Sequence, residues 1–252
     1  MNAGAGYYSV EANYASLLQH LNLTDAVSVF DHEDIKVWRS IRERENAVLD
    51  YDFADKPGRL HVKRNKRGFG GVDDELAGIR LLQKAKIATV PLVGAGRLHD
   101  GRGFLITDDL AGYEDAEQWI NSGHDFELLL EPTAQLAARL HNAGLHHRDL
   151  YLCHIYVNPN DTTDLRLMDA GRVKPLPTFF KQRWIVKDLA QFVYSLRSLD
   201  PSVGVRWLSA YASARGVALT FKSAVERKVK SIASHDARLQ SNNPERNVSI
   251  PR

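Results

Sequence analysis

Two short acidic motifs lie on either side of a predicted β-hairpin. The first, HRDL at residues 147–150, contains Asp149, and the second, DAG at residues 169–171, opens with Asp169. Phosphoryl transfer needs such a layout, because one carboxylate must meet the acceptor hydroxyl while another holds Mg²⁺ against the nucleotide phosphates. Since both motifs are anchored to one hairpin, their separation would be fixed.

The residues before these motifs predict a small antiparallel sheet. Extended segments at residues 35–41, 46–51 and 59–65 are separated by charged or Pro-Gly turns. A helix opened by Asp73 and Asp74 follows, with apolar residues along one face. A strand pair then straddles the turn at residues 99–101. We therefore expect a sheet with one helix between its third and fourth strands.

The chain is predicted to become mainly helical after a polar connector. A helix is expected to begin at Glu131 and Pro132 and to end near Gly144, ahead of the hairpin. Three later segments also read as helices. The predicted organisation is an N-terminal extension with a short helix (1–34), a first lobe (35–107), a hinge (108–112), a second lobe (113–240) and a flexible tail (241–252).

The composition excludes some classes of function but does not identify one. Thirty-three Lys and Arg against 31 Asp and Glu leave a net charge of +2, too balanced for a protein that coats nucleic acid. The single cysteine cannot form an internal disulfide, and no apolar run reaches the length of a membrane span. We expect a cytoplasmic protein that does not bind nucleic acid.

The motifs resemble those of a known enzyme family. HRDL and DAG are similar to the catalytic loop H-R-D-L-x-x-x-N and the metal loop D-F-G of protein kinases. HRDLYLCHIYVN, LMDAGR and KDLAQF together resemble the Kdo/WaaP lipopolysaccharide kinase family, over about residues 35–195. The resemblance implies an α+β, bilobal protein-kinase-like fold, with a small antiparallel β-sheet in the N-lobe and a mainly helical C-lobe. It also implies ATP and Mg²⁺ as cofactors.

The resemblance assigns roles to four residues after the hinge. Asp149 matches the catalytic aspartate that accepts or orients the acceptor's proton, and Asp169 matches the Mg²⁺-binding aspartate. His154 stands where protein kinases have the loop asparagine, the second metal ligand. Magnesium prefers oxygen ligands, so a histidine bonded only to the loop backbone is an equal alternative. Asp188 matches the helix aspartate that braces the catalytic loop.

Two residues before the hinge match the lysine–glutamate pair of kinases. Lys63 alternates with apolar neighbours on the third strand, facing away from them, as the phosphate-binding lysine does. Its partner should be an acid on the inward face of the following helix. Glu75 lies on the apolar stripe, whereas Asp74 points elsewhere and suits the helix N-terminus, so Glu75 is preferred.

The nucleotide-binding hinge and phosphate loop are less distinct. Asp108, Asp109 and Leu110 match the hinge whose main chain bonds adenine, so their side chains say little. The first turn of the sheet has no glycine loop. Either Arg42 or Arg44 binds phosphate through its side chain, or this turn is only an exposed hairpin tip.

The segment between Asp169 and Asp188 is short and basic. It has no acidic residue and no room for the regulated activation segment of a protein kinase. The family implies an anionic glycolipid acceptor, the lipopolysaccharide core, with a heptose or Kdo hydroxyl as target. Either the basic helix predicted at residues 217–232 rests peripherally on the inner membrane, or it is a packed terminal helix with one solvated side. Two alternatives stay open: a phosphotransferase acting on a soluble acceptor, and a nucleotide-binding pseudokinase without turnover.

Overall fold

A computed structural model describes residues 6–242 of the chain. It divides into two compact units, named here the sheet unit and the helical unit. The sheet unit comprises the described residues up to Tyr113 together with Arg166–Lys174, and the helical unit comprises Glu114–Leu165 and the described residues from Pro175 onward. None of the helices within residues 6–242 is long and apolar enough to cross a lipid bilayer.

The sheet unit is built on six antiparallel strands. The strands are β1 (Tyr7–Val10), β2 (Lys36–Ser40), β3 (Arg44–Phe53), β4 (Lys56–Asn65), β5 (Leu92–Arg97) and β6 (Gly103–Asp108). Their order across the sheet is β1-β5-β6-β4-β3-β2, so β4 lies inside the sheet between β3 and β6. The register places Lys63 opposite Asn46 on β3 and Leu105 on β6.

Three helices accompany the sheet, at Ala15–His20 (α1), Ala26–Asp31 (α2) and Val72–Lys84 (α3). Residues 6–34, predicted as an extension, supply β1, α1 and α2 to this unit, and their apolar side chains share a core with the sheet. The predicted sheet, with one helix between β4 and the β5–β6 pair, is present. The predicted lobe boundaries stay predictions. The two units of the structure do not follow them fully, because Arg166–Lys174, predicted in the second lobe, groups with the sheet unit.

The helical unit has five helices among its described residues: α4 (Ala116–Asn121), α5 (Glu127–Asn142), α6 (Lys181–Ser195), α7 (Pro201–Arg215) and α8 (Lys222–Asn242). The short strands are β7 (Glu114–Asp115), β8 (Leu145–His146), β9 (Ile155–Asn158), β10 (Asp161–Leu167) and β11 (Lys174–Pro175). Strand β10 runs out of the helical unit after Leu165, and β11 re-enters it at Pro175. Stacked rings of Phe192 and Trp207, with centroids 4.1 Å apart, fix α6 against α7.

The predicted start of helix α5 is wrong, and the predicted tail is only partly described. Helix α5 begins at Glu127 and contains Pro132, whereas the sequence predicted a start at Glu131 and Pro132. Proline is favoured in the first helical turn, so its position in the sequence predicts a start, but apolar packing of residues on both sides of it extends the helix. Of the predicted tail, residues 241 and 242 end α8 and the rest lies outside the described residues. The α+β class is confirmed.

Candidate active site

Lys63 and Glu75 form an ion pair inside the sheet unit. On β4, Leu60 and Val62 are fully buried and Lys63 points from the opposite face, as the alternation predicted. The Lys63 Nζ donates to Glu75 Oε1 at 2.5 Å. Glu75 is buried on α3, so its carboxylate needs this cation. Asp74, the rejected alternative, is exposed and pairs with Lys174 at 2.6 Å.

The Asp169 turn is attached to the same unit by main-chain bonds. The amide of Leu167 donates to the Ala88 carbonyl at 2.9 Å, and the buried Thr89 hydroxyl donates to the Leu167 carbonyl at 2.6 Å. Two residues later Asp169 takes the left-handed conformation, with φ of +52°. Aspartate tolerates that conformation better than most residues. The turn therefore projects an exposed carboxylate from a fixed backbone.

Helix α3 packs directly against the 3-10 turn Ala170–Arg172 that follows Asp169. Gly78 makes the close approach, because a Cβ on it would overlap the carbonyl of Ala170. A Cβ on Gly171 would lie 3.8 Å from both Asp169 Oδ1 and the Glu75 Cβ. Asp169 and Glu75 thus border the same glycine, and α3 couples the Asp169 turn to the Lys63–Glu75 pair.

Asp149 lies on a loop of the helical unit, and the carboxylate of Asp188 binds the main chain of that loop. The two Asp188 carboxylate oxygens accept hydrogen bonds from the amides of His147 at 2.7 Å and Arg148 at 2.8 Å. Arg148 has a φ of +71°, a conformation that non-glycine residues adopt only when the surroundings impose it. Asp188 is fully buried on α6. The structure therefore shows it bracing the loop, as the sequence predicted.

The charge of Asp188 is maintained despite its burial. Burial alone would raise the pKa of Asp188, but the hydrogen bond from His141 and the His147 amide outweigh it and hold the pKa below its ordinary value. The ring of His141 also contacts the Tyr211 hydroxyl at 2.7 Å. Burial raises the pKa of Tyr211 to about 12, against the lowering effect of Arg215, so Tyr211 keeps its proton near neutral pH.

Residues of the helical unit also contact Asp149 itself. The Gln191 side-chain amide donates to Asp149 Oδ1 at 3.4 Å, and His154 Nδ1 donates to the Asp149 carbonyl at 2.7 Å. The backbone-bonded arrangement considered for His154 is therefore present. Because Nδ1 carries the proton in this bond, any bond from His154 to a metal would have to use Nε2. Gln191 was not identified from the sequence, where only its helical position relative to Asp188 pointed to it.

The predicted hinge is bonded within the sheet unit. The amide of Asp108 donates to the Pro91 carbonyl at 2.9 Å, and the amide of Asp109 donates to the Arg59 carbonyl at 3.1 Å. The Asp109 carboxylate also contacts His61 at 3.0 Å. The Leu110 carbonyl accepts from the Tyr113 amide at 3.0 Å. The amides of Asp108 and Asp109 thus already donate hydrogen bonds within this unit.

The turn between β2 and β3 is tied to a glycine-rich segment that was missed in the sequence. Arg42 lies over the ring of Phe69, 6.0 Å from its centroid, and the Lys66 amide donates to the Glu43 carbonyl at 2.9 Å. Phe69 lies within the run GFGG at residues 68–71, which precedes α3. The sequence signal for this segment was three glycines within four residues, shortly after strand β4, which carries Lys63. Arg44 opens β3, and its Nε is buried without a hydrogen-bond partner.

The predicted site residues are distributed over both units. The sheet unit brings together Lys63, Glu75 and Asp169 through α3, and it also holds the hinge segment. Asp149 and His154 lie together in the helical unit. Within residues 6–242 no three His, Cys, Asp or Glu side chains form a cluster able to hold a metal ion. The roles of these residues stay predictions.

Comparison with known proteins places this chain in the kinase class of phosphotransferases. The family described as Lipopolysaccharide kinase (Kdo/WaaP) matches residues 58–211, more than half of the chain. The chain belongs to that family. Its predicted enzyme class, an ATP-dependent phosphotransferase acting on a sugar hydroxyl, is confirmed by this membership.

Two curated relatives carry the same name. The chain is 28% identical over 195 residues to "Lipopolysaccharide core heptose(I) kinase WaaP" of Pseudomonas aeruginosa, covering 64% of this chain and 69% of that protein. It is 26% identical over 141 residues to the protein of that name from Escherichia coli, covering 50% and 53%. The crystal structure of a Stt7 homolog from Micromonas algae, soaked with ATP, is 17% identical, with a TM-score of 0.41 over 58% of this chain and 52% of that one.

Proposed function

We propose that this chain transfers the terminal phosphate of ATP to a heptose hydroxyl of the lipopolysaccharide inner core. Family membership supports a lipopolysaccharide kinase, and both curated relatives are named for heptose I. A Kdo hydroxyl is the other acceptor that the family name contains. The proposed location is the cytoplasmic face of the inner membrane, where such an acceptor is anchored.

The observation that carries the proposal is the coupling of Lys63, Glu75 and Asp169 through helix α3. Glu75 Oε1 accepts a hydrogen bond from Lys63 Nζ at 2.5 Å and so orients the lysine. Gly78 of the same helix packs against the turn that carries Asp169. In our proposal Lys63 binds the α- and β-phosphates of ATP. Positioning supplies most of the catalysis in phosphoryl transfer, so a rigid link between the cation and the metal-binding carboxylate is the feature required.

The residues present fit Mg²⁺ held on a nucleotide. Magnesium usually takes one or two protein carboxylates and completes its shell with phosphate oxygens and water, so a three-residue protein cluster is not needed. Asp169 offers exposed carboxylate oxygens from a fixed turn. We assign Asp169 as the ligand and His154 Nε2 as the second candidate. When bound, the ion would neutralise charge on the phosphates.

Asp149 is proposed to orient the acceptor hydroxyl and take its proton. Its loop is held by Asp188 and its carboxylate is contacted by Gln191, so the side chain has a defined direction. Five cations between residues 170 and 187, where no acid occurs, are proposed to attract the anionic acceptor. The cations are Arg172, Lys174, Lys181, Arg183 and Lys187.

The proposal is tested with the full chain, ATP, Mg²⁺ and purified core glycolipids that end in heptose or in Kdo. Release of ADP above an Asp149→Asn control, with one added phosphate on heptose by mass spectrometry, is the expected result. If phosphate were found on Kdo alone, the acceptor would be a Kdo hydroxyl and the heptose assignment would be wrong. ADP release equal to that of the Asp149→Asn variant on every core would reject the proposed function.

A further inference from the structure

Two adjacent phenylalanines of the helical unit are held out in solvent. Phe179 is 78% exposed and Phe180 is 83% exposed. Among the large hydrophobic side chains in residues 6–242 that count as exposed, no other exceeds 53%. Scattered single apolar residues on a surface are ordinary, but two neighbouring aromatic rings exposed to this degree are not.

Neither the local backbone nor the core favours phenylalanine at these positions. Phe180 precedes α6 in the left-handed conformation, with φ of +62°, and makes no side-chain cap. Glycine or asparagine suits that conformation, whereas an aromatic side chain there is strained. Since Phe180 also buries almost none of its ring, it contributes little to folding. A bound partner would account for a residue that the folded chain itself does not favour.

The chemistry around the two rings is cationic. Lys181 follows Phe180 directly and Arg183 follows two positions later. Both are exposed, and no acidic residue occurs from residue 170 to residue 187. We call Phe179, Phe180, Lys181 and Arg183 the aromatic–basic patch. Aromatic rings flanked by cations are the composition of segments that rest at a bilayer interface, where rings enter the headgroup layer and cations meet anionic lipid.

The patch is physically linked to the catalytic loop within the helical unit. Trp184, one residue after Arg183, stacks on His146 with ring centroids 4.9 Å apart. The guanidinium of Arg148 lies 4.7 Å from the centre of the same Trp184 ring. Arg148 immediately precedes Asp149. A surface that anchors the patch would therefore lie within a few residues of the segment that presents the proposed catalytic carboxylate.

We propose that the aromatic–basic patch docks this protein on an anionic lipid bilayer, with Phe179 and Phe180 inserted at the headgroup level. The inference rests on the proposed function, because an acceptor anchored in a membrane gives the docking its purpose. The occupant is the lipid surface, argued from the paired exposed rings and the charge complementarity of Lys181 and Arg183. Phe179 and Phe180 position the enzyme on the membrane and take no part in phosphate transfer.

The test is co-sedimentation of the full chain with vesicles. One set is phosphatidylcholine alone, and the other contains phosphatidylglycerol as well. The wild-type chain is expected to bind the anionic set. The double variant Phe179→Ser, Phe180→Ser should bind the anionic vesicles about tenfold more weakly than the wild type. The double variant Lys181→Ala, Arg183→Ala should bind about tenfold more weakly too, but its difference from the wild type should disappear at high salt. Leu128→Ser, at another exposed apolar site of the helical unit, is the matched control and should bind as wild type.

A second variant separates binding from folding. Phe180→Gly relieves the left-handed strain, so its melting temperature should equal or exceed that of the wild type while vesicle binding falls. The proposal is overturned if the wild-type chain does not bind anionic vesicles, or if the double phenylalanine variant binds as well as wild type. It is also overturned if that variant dissociates a dimer present without lipid, because the patch would then be an interface between two copies.

Kinase assays distinguish this inference from the proposed function. The double phenylalanine variant should phosphorylate a delipidated core at the wild-type rate but lose rate on core glycolipid embedded in vesicles. Vesicle binding without phosphate transfer to any core would reject the function and leave the docking surface. Transfer to embedded glycolipid that is unaffected by the variant would reject the docking surface and leave the function.

Discussion

Gly78 of helix α3 lies against the carbonyl of Ala170, with no space between them for a side-chain methyl. The contact joins the helix that carries Glu75 to the turn that carries Asp169. A helix-interior glycine normally costs stability relative to alanine, so its presence here is explained by the close approach. Because residue 78 has no side chain, α3 can approach the turn closely, and this approach sets the distance between the ion-paired Lys63 and the proposed metal-binding Asp169.

Gly78→Ala is expected to destabilise the fold by about 2 kcal/mol, because the added methyl forces α3 and the turn apart and this outweighs the better helix propensity. The rate of phosphate transfer should fall more than stability suggests, since Asp169 moves relative to Lys63. Urea unfolding and steady-state kinetics measure the two effects. Gly204→Ala is the control, because its Cβ would meet a Val193 side-chain methyl at 3.1 Å in the helical unit and would leave the contact between α3 and Ala170 unchanged.

Glu75→Gln should leave the fold largely intact and raise the Michaelis constant for ATP. The neutral amide cannot hold Lys63 as the carboxylate does, and misplacement of the lysine is expected to cost about a hundredfold in kcat/KM. The loss of stability should be about 1–3 kcal/mol, since Glu75 is nearly buried. Both quantities are measured on the purified variant.

Asp74→Asn is the matched control for Glu75. Asp74 is the adjacent acid on the same helix, but it is exposed and pairs with Lys174 at the surface, so its removal should cost less than about 1 kcal/mol and leave ATP binding unchanged. An equal effect of the two variants on ATP would show that the helix N-terminus, and not the Lys63 pair, is what matters.

The sequence could predict this pair because periodicity reports which way a side chain faces. Alternation on β4 separated Lys63 from Leu60 and Val62, and helical spacing placed Glu75 on the buried stripe of α3. Each inference needed only local geometry. The same reasoning distinguished Glu75 from its exposed neighbour Asp74.

What could not be predicted depends on contacts between distant segments. The return of Arg166–Lys174 to the sheet unit arises from bonds between Leu167 and Ala88–Thr89, nearly eighty positions earlier, for which no local pattern exists. The exposure of Phe179 and Phe180 was equally hidden, since apolar residues beside a helix normally signal burial. Pro132 misled because its conformational preference is local, whereas packing of α5 decided where the helix begins.

Asp169→Asn should abolish the metal-dependent part of ATP binding without unfolding the turn. Asparagine also tolerates the left-handed conformation at φ of +52°, so stability should change by less than about 0.5 kcal/mol. Activity is expected to fall at least about a hundredfold, because the carboxylate ligand is lost. Thermal shift with ATP, with and without Mg²⁺, measures binding.

The control for that variant is Asp55→Asn, another exposed aspartate of the sheet unit with a positive φ of +59°. It should respond to ATP and Mg²⁺ as the wild type does. If ATP stabilised the wild-type chain equally with and without Mg²⁺, the assignment of Asp169 as a metal ligand would be wrong.

Asp188 makes stability depend on pH in the acid range. Its folded-state pKa lies below the ordinary carboxyl value, so its contribution is complete above about pH 4 and is lost as the pH falls through the folded value. Asp188→Asn should cost about 3 kcal/mol near neutrality, because one oxygen that accepts a loop amide becomes an NH₂ donor facing that amide. Urea unfolding of both chains, from about pH 7 down to about pH 3, should show their free energies converging as the carboxylate is protonated. A difference between the chains that stays constant over this range would show that Asp188 is not titrating, and that its hydrogen bonds to His147 and Arg148 act without its charge.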